Sequence, residues 1–226
     1  MDKKLLDWAY KTVEYLHNVA TDENNKELDL SFYAFQSEPK LNPNVVFLGV
    51  NPGGEAYSYS SLYSNPIWDL IEDGKMTPKR FIKANPLIKG LKDWKIWKEL
   101  KKSFGEYSFF ENYVYMNLIY FNTPNVEDLL RRKNGNIVLK KNIEFTKNLL
   151  TEIIKPKCII CLGTKDCFDR LVKQDEILLK SNKRLVSLGY LNNIKVFGIP
   201  HPSGSYTSNE HKNEIGKIIA QNLNII

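Results

Sequence analysis

Four short apolar runs limit what this chain can become: VVFLGV (45–50), YVYMNLI (113–119), KCIICLG (157–163) and IKVFGIP (194–200). They are rich in β-branched and aromatic residues, and each ends in Gly, Pro, Asn or Thr, the punctuation of a buried strand. Between them the pattern takes on a helical period. In VLKKNIEFTKNLLTEIIK, Leu139, Ile143, Leu149, Leu150, Ile153 and Ile154 fall largely on one face, and Pro156 stops the helix. TKDCFDRLVKQ follows the third run with Thr164 as a cap. TSNEHKNEIGKIIAQNLNII follows the fourth, with Thr207 and Glu210 spaced as a capping box. Strands alternating with helices call for right-handed crossovers. The expected fold is α/β, three layers (α/β/α) around a central four-stranded, mostly parallel sheet.

At 226 residues the chain suits one domain, with an amphipathic helix over 2–20 and a helical insert over about 64–112. No repeat, linker or low-complexity tract divides it. The apolar runs are far shorter than the ~18 residues a membrane span needs. The N-terminus lacks the long apolar core of a signal peptide, so a cytoplasmic protein without membrane association is expected. Three cysteines are present, and Cys158 and Cys161 form a C-x-x-C. Within a strand, residues three apart face opposite ways, so this pair does not converge on a metal. Buried structural thiols and no metal or other cofactor are expected. The formal charge of +6 is compatible with nucleic acid without demanding it.

In an open α/β sheet, ligands bind beyond the carboxyl ends of the strands. Two turns stand there, Asn51-Pro52-Gly53-Gly54 after the first run and His201-Pro202-Ser203-Gly204 after the fourth, with Asn117 near the end of the second. Singly, each has an ordinary structural explanation: a turn, a structural histidine, a satisfied core amide. As an ordered set, GVNPGG, VYMNLIYFNTP and HPSG resemble the motifs of the uracil-DNA glycosylase superfamily. They are most similar to its single-strand-selective monofunctional and mismatch-specific uracil/thymine branches.

The resemblance implies a monofunctional DNA N-glycosylase, acting as a monomer on single- or double-stranded DNA whose damaged or modified base is flipped into a pocket. Asn51 matches the residue that orients the attacking water. As an amide it positions water without being a strong base, so replacement by Asp is expected to hold or raise the rate. Asn117 matches the asparagine that reads N3–H and O4 of uracil. His201 matches the donor to O2 as negative charge grows on the leaving base. Tyr63 lies near the position of the stacking aromatic, with Tyr57 and Tyr59 as rivals. Gly49 and Gly53 complete the base-binding set, and Gly53 replaces the bulky Tyr that excludes thymine in strict uracil enzymes. Pro52, Ser203, Gly204, Ser205 and Tyr206 match the DNA-binding loops. The family's Leu or Arg wedge is missing from the second loop, and Tyr206 stands in for it.

Two other readings compete. A glycosylase-like module that binds a modified base, nucleic acid or protein partner without robust hydrolysis fits the missing carboxylate at position 51. A phosphate-cradling enzyme fits poorly, because NPGG is short and no Lys-Ser/Thr follows. Trp94 and Trp97, three apart, are expected to help bury a helix.

Overall fold

The computed structural model describes residues 2–21, 30–52, 71–72, 75–86, 94–202 and 207–225. Asp2 caps the first helix, α1 (Lys3–Thr21), its Oδ1 accepting from the Leu5 N–H at 3.0 Å. Leu5, Trp8, Ala9, Thr12, Val13 and Leu16 recur at helical spacing and form its buried face. Strand β1 (Val45–Gly49) follows, then a two-stranded hairpin, β2 (Ile71–Glu72) and β3 (Lys75–Met76). Next come α2 (Pro78–Phe81), α3 (Lys95–Phe104) and β4 (Tyr113–Asn117). Two helices lead back to the sheet, α4 (Val126–Leu130) and α5 (Gly135–Asn148). The second runs on as a wider turn (Leu149–Ile154) that ends at Lys155 with φ 52°. Pro156 and the left-handed Lys155 together end the helix where the periodicity stops.

Strand β5 (Cys158–Leu162) leads into a helical turn (Thr164–Phe168) and α6 (Asp169–Leu171). A meander, β6 (Gln174–Lys180), β7 (Arg184–Leu191) and β8 (Ile194–Ile199), then precedes α7 (Asn209–Asn222). The main sheet has six strands in the order β4-β1-β5-β8-β7-β6, which corrects the expected four. The four apolar runs are the parallel strands β1, β4, β5 and β8, while β7 and β6 add antiparallel pairings at one edge. The extra strands escape the sequence pattern because β6 lies on the rim, mostly exposed and carrying Asp175, Glu176 and Lys180. The helix read as TKDCFDRLVKQ therefore stops at Leu171, and Gln174 begins β6.

Two caps also differ from expectation. Ser208, not Thr207, caps α7, its hydroxyl accepting from the His211 N–H. Gly163, not Thr164, precedes the turn after β5, and its φ of +126° is one that L side chains rarely adopt.

Alternation along the strands splits the core in two. Val46, Leu48, Val114, Met116, Ile159 and Cys161 face α1 and α5, whereas Val45, Phe47, Tyr115, Cys158, Ile160 and Phe197 face α3 and α7. Cys158 and Cys161 accordingly lie in different cores. Among the described residues no helix is long and apolar enough to cross a membrane.

Candidate functional site

The strand order reverses at β1, which lies between β4 and β5, and the crevice at such a reversal is where an open α/β sheet takes a ligand. A cleft of about 320 Å³ opens there, and Asn51, Asn117 and His201 all line it. They come from three strand ends: just past β1, the last residue of β4, and just past β8. Tyr33, Tyr115 and Trp94 supply aromatic walls, and Lys95 supplies a cation. A larger groove of about 500 Å³ runs between α1 and α5, away from these strand ends.

Asn117 is placed by register. It pairs with Gly49 in the parallel ladder and shares a face with Tyr115 two residues before it. It is 2% exposed, and its Nδ2 has no hydrogen-bond partner. A Cβ added at Gly49 would stand 2.9 Å from Asn117 Oδ1 and 3.5 Å from the Tyr115 ring. The missing side chain at 49 is what gives the amide its room. Gly49, read as base-binding, thus acts through Asn117 in this geometry.

Asn51 is held differently. Its Nδ2 donates to the Thr123 carbonyl and, at 3.0 Å, to the Thr123 hydroxyl. The hydroxyl proton is already committed to the Asn125 carbonyl at 2.8 Å, so this hydroxyl accepts from Asn51. Only an NH₂ suits two acceptors, which fixes the amide's orientation and leaves Oδ1 as its acceptor. A carboxylate at 51 would set an oxygen against the Thr123 carbonyl. That geometry argues against the expected tolerance of Asp.

His201 is half-buried, and burial pushes its pKa below the ordinary histidine value. At neutral pH the imidazole is therefore uncharged, able to donate from one ring nitrogen. No carboxylate lines the cleft among the described residues.

Pro52 is buried beside Asn51. Tyr63, Gly53, Ser203, Gly204, Ser205 and Tyr206 lie outside the described residues, as do the rivals Tyr57 and Tyr59. Sequence reasoning missed Tyr33, Gln36, Tyr115 and Thr123, and it read Trp94 as a core residue. Trp97 fits that core reading at 8% exposure, and Trp94, which precedes α3, packs against the same core while also lining the cleft. The usable signal for Thr123 was its place in the FNTP turn just after the Asn117 strand. Nothing in the local pattern of Gln36 distinguished it.

No protein-family model matches the chain, and no curated protein does either.

Proposed function

We propose that this protein is a monofunctional DNA glycosylase that hydrolyses the N-glycosidic bond of uracil or a 5-substituted pyrimidine flipped into the cleft. The observation that carries this reading is the convergence of Asn51, Asn117 and His201 on one cleft from three separate strand ends. Each group has a task its chemistry suits. The Asn117 carboxamide offers one donor and one acceptor to a pyrimidine edge. His201, uncharged at neutral pH, donates to the base O2 as the glycosidic bond breaks and its electron pair passes to the ring. The Asn51 Oδ1 accepts from a water and holds it for attack on the sugar cation. Tyr33, Tyr115 and Trp94 give the base apolar walls, and Lys95 offers a phosphate partner at the rim.

The second reading is a module that binds a flipped base without robust cleavage, and the absence of a carboxylate from the cleft lining among the described residues favours it. One substitution separates the two. In single-turnover reactions on a uracil-containing single strand, His201→Ala should lower cleavage several hundred-fold, since such a donor contributes about 3–4 kcal/mol to the transition state. Binding of the same strand should barely change, because the charge His201 meets does not exist before bond breaking. Binding by wild type with no cleavage of any base would select the module.

A further inference from the structure

The groove of about 500 Å³ between α1 and α5 plays no part in the cleft, and its two walls carry complementary groups. α1 supplies Lys4, Asp7 and Lys11, about one helical turn apart, while α5 and the wider turn that continues it supply Glu144, Asn148 and Glu152 at the same spacing. The helices run antiparallel. The Trp8 Nε1–H donates to the Phe145 carbonyl at 3.1 Å, the Tyr15 and Phe145 ring centroids lie 5.5 Å apart, and Lys4 lines the groove with Glu152 and Ile153. Three levels result: Lys4 with Glu152, Asp7 with Asn148, and Lys11 with Glu144. Each sets a group against its complement. Yet Lys4, Lys11 and Glu152 make no ion pair among the described residues, and Glu144 pairs along its own helix, with Lys141 at 2.9 Å.

Such walls are self-complementary under one symmetry. A two-fold axis along the groove lays α1 of a second copy against α5 of the first with every level kept. Lys4 then meets Glu152, Asp7 meets the Asn148 amide and Lys11 meets Glu144, each contact made twice. A two-fold across the groove would instead set Lys4 on Lys11 and Glu144 on Glu152. The same face also carries apolar surface for a partner to cover. Ile137, in line with Glu144 and Asn148 on α5, is 64% exposed, and Tyr10 on α1 is 53% exposed; they are the two most exposed large apolar side chains among the described residues. Half-buried Phe145 and Ile153 join buried Trp8 along the groove floor. We propose that α1 and α5 form the docking face for a second copy of this chain, giving a two-fold dimer held by these charge levels over an apolar floor. The strand-end cleft lies away from this face and stays open in both copies, so the dimer does not depend on how the cleft is read. It departs from the monomer that the family resemblance implies.

Sedimentation velocity of the full chain tests it. At low salt, wild type should pass from a 26.2 kDa monomer to a dimer with a dissociation constant on the order of 10–100 µM, weak because its ion pairs are partly solvated. Raising salt to about 0.5 M should weaken association several-fold. Lys4→Glu and Glu152→Lys should each weaken it about tenfold, because the symmetry turns two attractions into two repulsions. Neither change threatens the fold: an acid in the first turn of α1 and a base near the end of the α5 turn both suit the helix dipole, so melting temperatures should hold or rise. An equimolar mixture of the two variants should recover wild-type association, since each reversed charge then faces the other. The double variant should self-associate as wild type does. A wild type that stays monomeric at low salt up to about 1 mM would overturn the dimer. Association that ignores the single reversals, or that neither the mixture nor the double variant restores, would overturn it as well.

Discussion

The amide oxygen of Asn117 occupies the space beside Gly49 that a side chain there would claim, 2.9 Å from where its Cβ would stand. That distance is shorter than Cβ contacts tolerate, and the obstructing atom is the far end of a side chain. Gly49→Ala should therefore swing the Asn117 amide without breaking the strand. The expected result is a loss of uracil binding and cleavage of tenfold or more, with stability changed by about 1 kcal/mol or less, since alanine suits a strand at least as well as glycine. Parallel melting and binding curves check it. Unaltered binding would show that the amide does not need its present position.

Asn51→Asp should lower activity. The Nδ2 of Asn51 faces two acceptors on Thr123, and a carboxylate oxygen in its place is repelled by the carbonyl and gains the hydroxyl only if that proton leaves Asn125. The carboxylate must rotate away or the Thr123 turn must open, at a cost of about 1–3 kcal/mol for the broken buried contacts. Thr123→Val, which keeps the carbonyl but removes the hydroxyl, should have a milder effect of the same sign. A rate for Asn51→Asp at or above wild type would mean that electrostatic stabilisation of the sugar cation outweighs the lost clasp.

Acid should weaken both fold and activity. Burial lowers the pKa of His201, and it lowers that of His17 too, against a backbone hydrogen bond to Met76 that raises it and Lys75 that lowers it further. The unfolded chain then binds protons more readily than the native state as pH falls below the ordinary histidine value of 6.5. Melting temperature should hold steady above about pH 7 and decline below about 6.5. Single-turnover cleavage should follow the same direction through His201. Cleavage that rises on acidification would assign the work to an imidazolium instead.

Gly216→Ala should be the most disruptive single methyl group. A Cβ there would stand 1.9 Å from the Ser103 carbonyl oxygen, so α3 and α7 touch through backbone. Neither helix can yield as a side chain would, and a loss of about 3 kcal/mol or more is expected, lowering the melting temperature by roughly 10 °C. Lys212 on α7 pairs with Glu99 on α3 and ties the same two helices, while Lys102, one turn along α3, and Lys212 together hold that carboxyl below its usual range. Trp94 stands at one end of this pair and His201 shortly before the other helix, so cleavage should fall with the fold.

The parallel strands were legible because both their faces are buried, which turns each into an unbroken apolar run: VVFLG in β1 and CIICL in β5 are buried at every position. The rim strand β6 obeys no such rule, since its residues answer mostly to water. Asn51, Asn117 and His201 were legible as a set because each is a polar residue standing where an apolar run stops. Gln36 was not, because what places it is a pairing with Tyr115 far along the chain, and local pattern carries no record of a distant partner. The orientation of Asn51 was hidden for the same reason: it depends on Thr123, whose hydroxyl is spoken for by Asn125.

The backbone cover over β4 also sets an order of events. β4 is the first strand in the sheet order, and its outer donors and acceptors are met by residues 33–37, including the Ser37 hydroxyl, which accepts from Tyr115 across 78 positions of chain. These residues leave the ribosome long before β4 exists and must wait for it. Until they close over it, β4 presents a bare apolar edge of the kind on which other chains add. Asn117 ends that strand, so its surroundings are completed by a segment made well before it, and deleting residues 33–37 would leave the β4 edge open to pairing with other chains.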